Sequence, residues 1–205
     1  MIRLWGRRTS GNVQKVLWCL EEIGLRYEQI DLGGPFGGNR EPSYLALNPN
    51  GLVPTLEEDG NVVWESNTIV RYLAARYSAG QLWPLDSATR ANSERWMDWA
   101  LGSLSPMNVL FMGYVRTPED QRNQAALSQA LEQCVTQWTI LDRHLATRPF
   151  VAGDHLTVGD IPLGVQVWRW FNLPIQRPEL PALAAWAKRL QERAGYRQHI
   201  ATPLA

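Results

Sequence analysis

The sequence predicts a small α/β domain followed by an all-helical one. Three observations carry that expectation. Strand-period and helix-period segments alternate from Ile2 to Tyr77, and from Ala88 onward only helical periodicity remains. Between them, Asn48-Pro49-Asn50-Gly51-Leu52-Val53-Pro54-Thr55-Leu56 forces a turn and then a strand entered through proline. The size fits as well: 205 residues, 45% hydrophobic and 20% charged, suit one large domain or two small ones with a sizeable core.

Ile2-Arg3-Leu4-Trp5 alternates as a short strand, and Gly6 to Gly11 is a loop. Val13, Val16, Leu17, Leu20 and Ile23 follow at helical spacing, and Gly24 stops that helix. Tyr27 to Leu32 reads as a second strand, so the opening is a βαβ unit with a parallel first pair. After a glycine-rich loop (33–38), Pro42 to Leu47 is a short helix. Val53 to Leu56 is the third strand, with a cis Val53-Pro54 bond that leaves the Val53 backbone free to pair outside the chain. Asp59-Gly60 closes a hairpin into Asn61-Val62-Val63-Trp64, and a helix then runs from Ser66 to Tyr77.

Residues 79–87 read as a linker between a domain at 1–78 and another at 88–205. One long helix is expected from Ala88 to about Val115, bent near Pro106, and another from Thr117-Pro118-Glu119 to about Thr147. Leu156-Thr157-Val158-Gly159-Asp160-Ile161 reads as a capping box with a hydrophobic staple. Pro181 opens a helix with Leu183, Trp186, Ala187 and Leu190 on one face.

Bulk chemistry excludes several functions. Twenty basic and twenty acidic residues cancel, so no overall field draws nucleic acid or an anionic membrane. No run approaches a membrane span, and the N-terminus lacks a signal-peptide core. Three scattered histidines argue against a metal site, and two distant cysteines fit a reducing cytoplasm. The glycines at 33, 34, 37 and 38 lack the spacing of a phosphate loop. A free strand edge at Val53 beside the helix N-terminus at Glu65-Ser66 instead suits a small peptide with a terminal carboxylate.

The order of the first domain, with its proline-entered third strand, resembles a thioredoxin-like domain. Four motifs extend the likeness: Ser10 to Val16, Asn48 to Pro54, Glu65 to Leu73, and Leu156 to Asp160. In that order and spacing they resemble the cytosolic glutathione S-transferase family over essentially the whole chain. The Ser-x-Asn entry to the first helix is similar to bacterial members of the theta- and nu-like branches. Trp5 ends the first strand where alpha, mu and pi classes carry a catalytic tyrosine, and no cysteine stands near Ser10 as in omega and beta classes.

The resemblance implies glutathione as co-substrate and a thiolate stabilised by Ser10 or Asn12, with Thr9 a further choice. Neither need act as a base, since donating to the anion suffices. The plain alternative is that Ser10 or Asn12 only caps the helix. Val53, held by Pro54, would pair with the cysteinyl backbone, Ser66 would hold the γ-glutamyl carboxylate, and Glu65 its ammonium. Asn39 would contact the glycine end. The helical domain would contribute the electrophile pocket, where Arg7 and Arg116 suggest an anionic electrophile. Cys19, about 10 Å along the helix from Asn12, serves no role there. A homodimer is implied, with Trp96, Trp99 and Phe36 as anchors. Two other functions fit the same motifs: a glutathione-dependent disulfide or peroxide reductase, and a non-catalytic interaction module.

Overall fold

The computed structural model describes residues 1–204 and divides into two units after Trp83. In the first unit the elements run β1 (Ile2–Trp5), α1 (Gly11–Ile23), β2 (Tyr27–Ile30), α2 (Pro42–Leu45), β3 (Thr55–Glu58), β4 (Asn61–Trp64) and α3 (Ser66–Tyr77). The sheet has the order β2-β1-β3-β4. The β1–β2 pair is parallel, as a helical crossover requires, and the other two pairs are antiparallel. Ile2, Leu4 and Leu56 alternate inward, and α1 packs on α3 through Val13, Val16, Leu17 and Leu20 against Ile69, Val70 and Leu73, all buried. Each such side chain contributes about 1.5–3 kcal/mol of burial. Gly24 ends α1 in the left-handed conformation at φ 74°. The third strand begins at Thr55 rather than Val53, because Val53 and the cis-linked Pro54 stand outside the ladder.

The second unit comprises α4 (Ser87–Gly102), α5 (Pro106–Phe111), α6 (Gln124–Leu145), α7 (Asp160–Asn172), α8 (Pro181–Gln191) and α9 (Ala194–His199). The long helix expected from Ala88 to Val115 is broken. Pro106 has no N–H to give the carbonyl of Gly102, which accepts from Ser105 instead, and the chain restarts with Pro106 at the head of α5. A π-helical turn, Met112–Arg116, then ends that segment. The next helix starts at Gln124, not at Thr117. Glu119–Gln121 forms only a 3-10 turn, and the side chain of Asn123 caps α6 by accepting from Ala126 N at 3.0 Å.

The capping box at α7 forms with a substitution. Asp160 accepts from the Thr157 backbone N–H at 2.9 Å, as the third residue of such a box should. The Thr157 hydroxyl donates to the same carboxylate at 3.2 Å and accepts from Ser93 of α4 at 2.8 Å, and Ser93 itself accepts from Gly159 N at 3.0 Å. The face expected of α8 is buried as read. Trp96 is also buried in this unit, stacked edge-on against Trp99 at 5.1 Å.

Candidate functional site

The turn before β3 is held by side chains more than by its own backbone. Asn48, buried, donates to Leu52 O at 2.9 Å and to Thr55 Oγ1 at 3.2 Å, and accepts from Asn50 N at 3.1 Å. The Tyr44 hydroxyl of α2 lies 2.6 Å from Leu52 O and 2.8 Å from Thr55 Oγ1. Gly51 is needed here twice over. Its φ is 61°, and a side chain on it would press into the backbone oxygen of Asn39. Asn39 gives its amide N–H to Gly51 O at 2.8 Å, so its side chain braces the turn. The outcome is that Val53 is presented with no backbone hydrogen bond among the described residues. Its side chain rests against Gly6, which admits it and Val13 together because it lacks a Cβ.

The N-termini of α1 and α3 meet next. Ser10 occupies the N-cap position of α1, but its half-buried hydroxyl makes no capping bond and has no partner among the described residues. Asn12, the second residue of α1, accepts through Oδ1 from the buried Ser66 hydroxyl at 3.3 Å. Ser66 also accepts from the buried Lys15 ammonium at 3.3 Å, and Lys15 reaches Asn67 Oδ1 at 3.4 Å. Preceding Ser66, the exposed Glu65 holds φ 71°, a strained conformation for a residue with a side chain. The first N–H groups of α3 therefore point out of a fixed, strained corner with Lys15 behind them. This is a place that favours an anion.

Six of the residues singled out from sequence thus fall in one constellation of the first unit: Ser10, Asn12, Val53, Pro54, Glu65 and Ser66. Asn39 lies at its turn, in a structural bond. Arg7 runs along the loop at Gly33 and Gly34, and Arg8 is engaged with the Tyr27 hydroxyl. Arg116 belongs to the second unit, in the π-helical turn. Lys15, Tyr44 and Thr55 were not identified from sequence. A lysine between Val13 and Val16 on an apolar face was the one signal available for Lys15. Burial and the Glu22 charge raise the Cys19 thiol, and burial pushes the Cys134 thiol up to about 12, so both rest protonated at neutral pH.

Comparison with known proteins bears on the family. Residues 9–76 match the model of the glutathione S-transferase N-terminal domain, and residues 124–189 that of its C-terminal domain. Glutathione S-transferase GstB of Escherichia coli is 44% identical over 208 residues, covering 100% of both chains. The chain belongs to the glutathione S-transferase family. Glutathione S-transferase 3 of Zea mays is 31% identical over 78% of this chain and 73% of its own length. Among solved structures, the theta class glutathione S-transferase of the citrus canker pathogen Xanthomonas axonopodis pv. citri, with glutathione bound, superposes with a TM-score of 0.96 at 49% identity. That match spans 100% of this chain and 99% of the other. The glutathione S-transferase fold, a thioredoxin-like unit followed by a helical one, is therefore that of this chain.

Proposed function

We propose that this family member joins the thiol of glutathione to a small electrophile, with Ser10 as the donor that stabilises the thiolate. The observation that carries the reading is the bond between Asn12 and Ser66. It draws the positive ends of two helices together, and the neighbouring Ser10 hydroxyl has no partner among the described residues. A cysteine thiol has an ordinary pKa near 8.5, and lowering it by about two units takes roughly 2.7 kcal/mol of preferential stabilisation of the anion. One oriented hydroxyl and the α1 dipole are groups of the right kind and size.

The other roles follow from position. Val53 offers both backbone groups to the cysteinyl part, as in strand addition, and Pro54 keeps it clear of the ladder. Ser66 and the first N–H groups of α3 take the γ-glutamyl carboxylate, and the Glu65 carboxylate takes its ammonium. Asn12 acts at this carboxylate end, orienting Ser66, rather than at the sulfur. Asn39 acts by holding the turn.

We place the protein in a reducing cytoplasm, acting in detoxification, since Cys19 and Cys134 are unpaired and no helix among the described residues is long and apolar enough to cross a membrane. We also propose a two-fold homodimer. Trp96 no longer supports it, being buried within its own unit, but Phe36 at 57% exposure and Leu101 at 55% leave apolar surface to cover. Sedimentation should give twice the 23.3 kDa chain mass; a species of that mass alone contradicts the dimer.

Retention on immobilised glutathione, followed by thiol consumption across halogenated acids, aromatic halides, peroxides and mixed disulfides, tests the function. Conjugate formation with a halide is the expected result. Glutathione disulfide as the sole product would point to a reductase, and retention without any turnover to a binding module.

A further inference from the structure

Of the twenty basic side chains only two are lysine, Lys15 and Lys188, and the first of them is buried. A compact ammonium directs three donors from one atom, where an arginine needs room for a planar fork. Asn12, Lys15 and Cys19 follow one another by three and four residues on α1, so they form a row on one face. That row meets α3. Asn12 bonds Ser66, Lys15 donates to Ser66 Oγ at 3.3 Å and to Asn67 Oδ1 at 3.4 Å, and the Cys19 Sγ lies 4.0 Å from the Val70 carbonyl oxygen.

Packing gives no reason for a cation at this point of the row. Taking an ammonium out of water is costly, and an apolar side chain of similar length often stabilises a protein in its place. Its bonds instead prepare the first two side chains of α3. Because Lys15 donates to Ser66 Oγ, the hydroxyl is left with its own proton to give, here to Asn12 Oδ1 at 3.3 Å. A carboxylate is a stronger acceptor than an amide oxygen and competes for that proton. A hydroxyl polarised by a cation behind it is a better donor, and burial strengthens the effect.

We propose that Lys15 is a positioning residue that sets specificity: through Ser66 and Asn67 it makes the start of α3 demand a carboxylate, so that glutathione is chosen by the α-carboxylate of its γ-glutamyl residue and not by its peptide shape alone. This rests on the glutathione reading above. The helix N-terminus by itself would accept any hydrogen-bond acceptor, charged or neutral. A buried positive charge one bond behind Ser66 separates the two, because it acts on a net negative charge far more than on a neutral oxygen. Lys15 does its work from inside the fold, shielded from salt by burial.

The test is calorimetric binding of glutathione and of γ-aminobutyryl-cysteinylglycine, which keeps the ammonium and the rest of the peptide but lacks that carboxylate. Wild type should bind glutathione about 100-fold tighter than the analogue. Lys15→Met should cut this ratio about ten-fold, the size of one charge-assisted bond, by weakening glutathione and leaving the analogue where it was. Its Tm should equal or exceed that of wild type, since methionine fills the same buried space without a charge. Lys15→Gln, which keeps a neutral donor, should lower the ratio as well, and it carries the test if the methionine variant folds poorly. An unchanged ratio in the variants overturns the proposal. So does an equal weakening of both ligands with a fall in Tm, which is what a purely structural brace would give. If wild type binds neither peptide, the glutathione reading itself fails and the inference falls with it; tight glutathione binding with an unchanged ratio sinks the role of Lys15 alone.

Discussion

Asp160 is a carboxylate fully removed from water and surrounded by donors, namely the N–H groups of Val151 and Thr157 and the indole of Trp186. Desolvation nevertheless dominates and pushes its pKa up to about 6. Because the folded state binds this proton more tightly than the unfolded chain, the contribution of the residue is fully present below pH ~4. It is lost as pH rises through about 6, by roughly 3 kcal/mol in all. Asp160→Asn cannot titrate there. The stability gap between wild type and this variant, from denaturant melts at pH 4 and pH 7, should therefore move against wild type as pH rises. A constant gap refutes the shift. At the same scale Asn12 and Ser10 separate. Asn12→Ala should raise KM for glutathione several-fold with little change in the pKa of the bound thiol, since Asn12 bonds Ser66.

Elements explain why the same residues could be read or missed. Helices whose ends carry their own caps were legible: Gly24 stops α1 and Pro181 opens α8, because those signals are local. The break at Pro106 was visible as a proline, but whether the helix bends or stops depends on where the Gly102 carbonyl finds a donor. The cap of α7 depends on Ser93, which lies 64 residues from Thr157 in sequence, and no local motif could name it. Ser93→Ala leaves the Gly159 N–H without a partner in the core, which costs about 1–3 kcal/mol in denaturant unfolding. The turn before β3 obeys the same logic. Asn48→Ala removes bonds to Leu52 and Thr55 and should weaken glutathione binding about ten-fold by calorimetry, with the far-ultraviolet spectrum unchanged. An unaltered affinity would mean the turn needs no such brace.

Across the whole molecule, fold and family were legible because they rest on periodicity and four ordered motifs. Of the proposed site, the sequence reaches the residues that a motif names, Ser10, Val53 and Ser66. Long-range packing hides the rest: Lys15 reaches Ser66 at the start of α3 only because the fold buries the two together. The central claim is that Ser10 lowers the pKa of bound glutathione by donating to its thiolate. Ultraviolet titration of the thiolate in the binary complex tests it most directly. Wild type should titrate about two units below the ordinary thiol, near pH 6.5, and Ser10→Ala should return most of the way towards 8.5 while still binding glutathione. Superimposable titrations of wild type and Ser10→Ala would contradict the account.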